Sequence, residues 1–234
     1  MTRSSGGGDG ALGTKRLAVR VKTARRRKPS SKEWLERQLN DPFVAEARRL
    51  GYRSRAAFKL IQLNQRFHLL AAGRRIVDLG CAPGGWTQIA AHLVGAASGH
   101  GRVIGVDLLA TEPIAGATLL TGDFRDPATA ERIREALGGP ADLVLSDMAA
   151  PATGHAPTDH LRIIALAEDA FDFAGTILKP GGAFVAKVFQ GGTEGGLLLT
   201  LKREFAELRH AKPAASRAES AETYVVAKGF RGGA

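Results

Sequence analysis

Residues 78–86 read Asp78-Leu79-Gly80-Cys81-Ala82-Pro83-Gly84-Gly85-Trp86. Ile76 and Val77 precede them, so an apolar strand runs into a glycine turn, and a helix is expected near 85–95. Glycine permits positive φ and lets a backbone approach a ligand closely. The spacing is G-x-x-x-G-G rather than the dinucleotide G-x-G-x-x-G, and no Walker lysine follows. Nicotinamide and nucleoside-triphosphate readings therefore lose ground. A plain strand-to-helix turn would need only one glycine.

The alternation continues on the C-terminal side. Residues 103–108, 118–123, 142–147 and 183–189 are short, largely apolar runs, and 223–227 is another. Helices are expected at 127–137 and 158–178, the second stopping before Lys179-Pro180-Gly181-Gly182. Such strands alternating with helices imply an α/β fold whose parallel sheet is covered on both faces. Ligands bind beyond the carboxyl ends of strands in such sheets. Asp78, Asp107, Asp123, Asp147 and Lys187 all fall at or near those ends, which marks a rim. At the end of the second strand, Asp107 can accept both ribose hydroxyls of an adenosine-containing ligand. Asp123, ending the third, can accept an adenine amino group; either acid would otherwise be a cap or turn residue. Trp86 either offers a ring face to the ligand or packs in the core.

The formal net charge is +10, unevenly spread: the first 75 residues hold +14 and the rest −4. A basic front on a slightly acidic body suggests a polyanionic partner met from the N-terminal side. Residues 1–30, with Gly6-Gly7-Gly8 and Arg25-Arg26-Arg27-Lys28, are expected to form a disordered basic tail. They encode no long amphipathic helix, which disfavours a transit peptide and leaves RNA contact or simple solvation as the readings of the tail. Residues 31–73 are expected to be helical and to contact RNA. One helix follows Ser31, a second opens at Asp41-Pro42, and Ser54 caps a third. In that third helix Phe58, Ile61 and Leu63 mark an apolar side, and Arg55 and Lys59 share a face. Cys81 is the only cysteine, so no internal disulfide forms, and no apolar run suits a bilayer span or a signal peptide. A cytoplasmic monomer with no membrane partner and no metal is expected.

Lys187 stands within Phe184-Val185-Ala186-Lys187-Val188-Phe189. A lysine in an apolar strand costs free energy unless paired. It either snorkels out at the strand end or meets buried acids, and Asp147 and Glu222 are the candidates. A ribose hydroxyl is a poor nucleophile until its proton is removed. A lysine whose neutral form is favoured by burial or a neighbouring cation can remove it.

Together these segments resemble the FtsJ/RlmE family of RNA ribose 2′-O-methyltransferases over residues 31–230. The likeness is carried by Arg53-Ser54-Arg55-Ala56-Ala57-Phe58-Lys59-Leu60, the 78–86 turn, Gly122-Asp123-Phe124 and Ser146-Asp147-Met148-Ala149. Lys187-Val188-Phe189-Gln190-Gly191 and the Ser216-Arg217-Ala218 segment leading to Glu222 complete it. The resemblance implies a Rossmann-like class I methyltransferase domain over 31–234, with a mostly parallel seven-stranded sheet. It implies S-adenosyl-L-methionine as cofactor, contacted by Gly84, Trp86, Asp107, Asp123 and Asp147. The family's Lys–Asp–Lys–Glu set maps to Lys59, Asp147, Lys187 and Glu222. Lys187 is then the base, Asp147 orients it, Lys59 is the neighbouring cation that also positions substrate, and Glu222, ahead of Glu219, completes the network.

The bacterial branch implies a uridine ribose in the A loop of 23S rRNA, within the 50S subunit or its late precursor. Cys81 stands where a small apolar residue is frequent, and is small enough to keep the turn. Relatives acting on tRNA share the ion set, so a tRNA acceptor stays open. A non-catalytic assembly factor would be expected to lack one of the four residues. A small-molecule methyltransferase would not need a basic face of Arg48, Arg49, Arg53, Arg55 and Lys59.

Overall fold

The computed structural model describes residues 36, 39–151, 153–189 and 195–232. The basic tail, the helix expected after Ser31 (Glu36 apart) and Gln190-Gly191 lie outside them. The chain divides into a unit ending at Ala45 and a unit running from Glu46 to Ala234. Helix α1 (Pro42–Arg49) opens in the first. The Asp41 carboxylate accepts the Phe43 N–H at 3.0 Å, and Pro42 takes the first helical position, where no N–H is needed.

In the second unit helix α2 (Ala56–Phe67) leads to β1 (Arg75–Leu79), α3 (Gly85–Val94), β2 (Arg102–Asp107) and β3 (Ala117–Thr121). Then come α4 (Pro127–Leu137), β4 (Ala141–Ser146), α5 (Ala156–Ile177), β5 (Leu178–Phe189), α6 (Gly195–Glu204), β6 (Phe205–Ala211) and β7 (Glu222–Phe230). The strands form one seven-stranded sheet in the order β3-β2-β1-β4-β5-β7-β6. Strands β1 to β5 pair in parallel, while β7 is antiparallel to both its neighbours.

Alternation along the strands builds a core on each face. Val77, Leu79, Ile104, Val106 and Val144 pack with Ile133 of α4, Ala167 of α5 and Leu201 of α6. Ile76, Val103, Leu143 and Leu145 pack with Leu60 and Leu63 of α2 and Ile89 and Ala90 of α3. The expected α/β architecture, mostly parallel and covered on both faces, is therefore the one observed. Connections from β1 and β4 leave in opposite directions, which opens a crevice at their carboxyl ends.

Three local expectations change. The Ser54 side chain does not cap α2; its hydroxyl is buried without a hydrogen-bond partner, against Gly85. The buried stripe of α2 is Ala57, Leu60, Leu63 and Phe67, and it carries Lys59 inward with it, whereas Phe58 and Ile61 are only half-buried. Helix α5 passes directly into β5, so Lys179-Pro180-Gly181-Gly182 begins the strand instead of separating the two. Strand β6 has no counterpart among the apolar runs. Glu207, Arg209 and His210 are exposed on it, the charged pattern that suits a sheet edge. No helix among the described residues is long and apolar enough to cross a membrane.

Candidate active site

Four charged residues from four places meet at the β4–β5–β7 end of the sheet. Asp147 follows the last residue of β4, Lys187 lies near the end of β5, Glu222 opens β7, and Lys59 projects from α2. The Lys187 Nζ donates to the Asp147 backbone carbonyl at 2.7 Å and lies 3.2 Å from Asp147 Oδ1. Lys59 Nζ is 2.6 Å from Glu222 Oε1 and 3.7 Å from Asp147 Oδ1. Both lysines are buried, at 9% and 7% exposure, so each depends on these partners. The snorkelling alternative for Lys187 does not occur.

Two further groups belong to the network, and sequence reasoning assigned neither a role. The Tyr224 hydroxyl lies 2.6 Å from Asp147 Oδ1 and 3.2 Å from Glu222 Oε1. Having one proton, it donates to the nearer. Burial, then the charges of Asp147 and Glu222, push the phenol well above its ordinary pKa, so it stays a donor. Ser216 donates to Glu222 Oε1 at 2.9 Å. Burial acts to raise the Glu222 pKa, but Lys59 and Lys187, with hydrogen bonds from Lys59 and Ser216, overcome it and leave the group lowered. The signal for Tyr224 was available: residues two apart on a strand share a face, and Tyr224 stands two after Glu222.

Asp147 also walls a cavity of about 580 Å³ along the carboxyl ends of β1 to β4. That volume suits a small-molecule site. Apolar walls come from Val106, Leu108, Leu109, Phe124 and Met148. Asp107 faces it from the end of β2. Its Oδ2 accepts the Ala82 N–H and its Oδ1 the Leu109 N–H, both at 2.9 Å, which fixes the carboxylate while leaving further lone pairs. Asp123, two residues beyond β3, is gripped by Arg125, with Nη2 at 2.7 Å from Oδ2. Those hydrogen bonds hold its carboxyl below the ordinary range. Arg125 Nη1 also pairs with Asp169 at 3.1 Å. A carboxylate at each of two strand ends between apolar walls fits the ribose and base of an adenosine moiety.

The remaining sequence candidates take the following places. Trp86 is in the core, its Nε1–H donating to the Ala56 carbonyl at 2.8 Å and its ring 5.6 Å from that of Tyr224. Its side chain is not a cavity wall, although its backbone sits in the first turn of α3. Gly84 precedes that turn at φ 105°, where a Cβ would come 2.7 Å from Ile114 Cδ1. Asp78 is beneath the turn and off the rim: it is buried, and Thr87 donates to it at 2.6 Å. Burial pushes its pKa up to about 7 against that hydrogen bond, with Asp147 and Asp107 adding to the rise. Two arginines of the basic face also have backbone partners. Arg53 donates to the carbonyls of Pro83, Glu112 and Pro113, and Arg55 to that of Ala215.

Sheet order, crevice and ion set define the chain as an α/β methyltransferase of Rossmann-like fold. A family model described as FtsJ-like methyltransferase matches residues 52–230, and the chain belongs to that family. It is 63% identical over 232 residues to a "Ribosomal RNA large subunit methyltransferase E" of Paramagnetospirillum magneticum, covering 98% of this chain and 95% of the relative. A protein of the same name in Azorhizobium caulinodans is 61% identical over 218 residues, covering 93% and 91%. Among solved structures, a ribosomal RNA methyltransferase from Plasmodium falciparum superposes with a TM-score of 0.69 at 30% identity, covering 78% of this chain and all of that one.

Proposed function

We propose that the chain methylates the 2′-O position of a uridine ribose in the A loop of 23S rRNA, on the large ribosomal subunit or its late precursor. The methyl donor of its family is S-adenosylmethionine, which supplies an electrophilic methyl group on a sulfonium. The observation that carries the reading is the buried Lys187, held 2.7 Å from the carbonyl of the same Asp147 that walls the cavity. Donor site and base are thus joined at one residue. The names of the relatives in Paramagnetospirillum and Azorhizobium support large-subunit rRNA as the substrate.

Lys187 would act as the base, taking the proton of the acceptor 2′-hydroxyl as that oxygen accepts the methyl group that a bound donor would supply from its sulfonium. The step needs Lys187 as the neutral amine, which has a lone pair to take the proton. Asp147, anchored by Tyr224, orients Lys187. Glu222 pairs with Lys59 and leaves it positioned for the acceptor ribose. Asp107 accepts the donor's ribose hydroxyls and Asp123 its adenine amino group. Trp86 would act through its backbone N–H in the first turn of α3, where an anionic carboxylate is favoured. Gly84, whose own N–H donates to the Cys81 carbonyl at 2.6 Å, would let the donor approach the backbone because it carries no side chain. Residues 31–73 and the basic tail of residues 1–30 meet RNA, and the protein works in the cytoplasm as a monomer.

The test supplies labelled donor with purified 50S subunits, protein-free 23S rRNA or tRNA, then maps the modified ribose. Methylation of one A-loop uridine on the particle is expected. Transfer to tRNA alone would refute the substrate, and transfer to a base nitrogen or carbon would refute the chemistry.

A further inference from the structure

Arg53 lies outside the ion set and outside the cavity wall, yet its side chain joins three segments. Its Nη1 donates to the Glu112 carbonyl at 2.7 Å and, at 3.4 Å, to that of Pro83, while Nη2 donates to the Pro113 carbonyl at 2.5 Å. Pro83 belongs to the glycine turn. Glu112 and Pro113 belong to the loop after β2, which also supplies Leu108 and Leu109 to the cavity wall. The side chain lies over Gly84, where a Cβ would come 3.0 Å from Arg53 Cδ.

The backbone at Arg53 is tied to the same place. Gln88 of α3 accepts the Arg53 N–H at 3.2 Å and donates to the Gly51 carbonyl at 3.0 Å. Three residues later α2 begins, and six residues later it delivers Lys59 to Glu222. The guanidinium forms no ion pair among the described residues, so its donors serve carbonyls alone. A planar fork can span several acceptors at once, which a lysine ammonium, a point charge on a flexible stem, cannot.

We propose that Arg53 is a positioning residue that couples the acceptor side of the site to the cofactor cavity. Resting on the function proposed above, this adds a device to it: the loops that enclose the donor are braced against the helix that presents Lys59. An acceptor engaging Lys59 steadies α2, and through Arg53 it steadies the 82–84 turn and the 108–116 loop. Linkage makes the effect reciprocal, so RNA tightens donor binding and donor tightens RNA binding.

The experiment is a binding measurement, independent of turnover. S-adenosylhomocysteine, the demethylated donor, is titrated into the full chain, alone and with saturating 50S subunits, for wild type and Arg53→Lys. The wild type is expected to bind it roughly tenfold more tightly in the presence of particles, within the usual range of coupling between sites. Arg53→Lys, which keeps charge and stem, is expected to bind it more weakly and to lose most of that particle-dependent gain. In steady state its KM for donor should rise while kcat at saturating donor stays close to wild type. Equal affinities and equal gain in the two proteins would overturn the proposal, as would a wild type whose affinity ignores the particle. A lowered melting temperature with the gain intact would also overturn it, because that is the mark of a merely structural residue. Wild-type binding without particles reports on the cofactor reading alone, so the two failures are distinguishable.

Discussion

Asp78→Asn isolates the buried carboxyl beneath the glycine turn. In the folded chain burial pushes the Asp78 pKa up to about 7, whereas an unstructured aspartate titrates near 3.8. Between those values the folded state holds a proton that the unfolded state has released. Stability due to the protonated carboxyl is therefore full below about pH 4 and is lost as pH rises to about 7. The difference of about 3 units is worth about 4 kcal/mol in all, at about 1.4 kcal/mol per unit. Linkage places about 2–3 kcal/mol of it between about pH 5 and pH 8. Asparagine does not titrate and keeps an oxygen for the Thr87 hydroxyl. Urea unfolding followed by tryptophan fluorescence, at both pH values, gives the stability difference between wild type and variant. Subtracting one protein from the other cancels the titration of the histidines. Asp78→Asn should gain about 2–3 kcal/mol relative to wild type from the lower to the higher pH. A relative change below about 0.5 kcal/mol would show that Asp78 is ionised throughout, and the account of its burial would fail.

Lys187→Met should slow methyl transfer by about 10²–10⁴-fold while S-adenosylhomocysteine affinity stays near wild type; unchanged single-turnover rates would remove Lys187 as the base. Asp107→Ala should weaken donor binding by about 1.5–3 kcal/mol, the usual worth of hydrogen bonds to a charged group, and a calorimetric affinity equal to wild type would refute its role at the ribose. Tyr224→Phe strips Asp147 of its shortest side-chain hydrogen bond, so it should cost about 1.5–3 kcal/mol of stability and slow transfer, both measurable by denaturation and rapid quench; full activity would make the phenol a packing group only. Deleting residues 1–28, which carry nine Lys and Arg against one acid, should flatten the salt dependence of particle binding, and an identical slope would show that the tail does not touch phosphate.

Strands β1, β2, β4 and β5 were legible because they are largely buried on both faces and read as apolar runs between turns. The glycine turn, Asp107 and the ends of β4 and β5 followed from that pattern. Strand β6 was not legible, because an exposed edge replaces apolar residues with Glu207, Arg209 and His210. Arg53 and Arg55 show a different gap. Composition counts charge but not where its donors go, and both guanidinia donate to carbonyls far along the chain, which orders the side chains without removing their charge. Trp86 sits in the stretch that decides the fold, yet its ring is core and only its backbone reaches the turn. Asp78 stands one residue from the end of β1, near where a ligand residue would lie, but its carboxyl turns toward Thr87.

The direction of β7 accounts for the rest of the ion set. Parallel strands bring only their carboxyl ends to the rim, so β4 and β5 supply Asp147 and Lys187 and nothing more. Because β7 runs the other way, its first residues arrive there: Glu222 pairs in register with Phe189, and Tyr224 with Lys187. A parallel β7 would have brought its last residues, Gly229 and Phe230, to the same place. Lys59 and Lys187 would then have faced Asp147 alone, two buried cations against one anion, and an unpaired buried charge costs several kcal/mol, roughly 3–5 when a partner is removed. Entering β6 first at the edge and inserting β7 between it and β5 supplies the second carboxylate and the phenol in one step. Strand reversal and charge balance are therefore a single requirement of this site. Glu222→Gln tests both, since it should weaken the hold on Lys59 while leaving the donor cavity, which contains no residue of β7, unchanged.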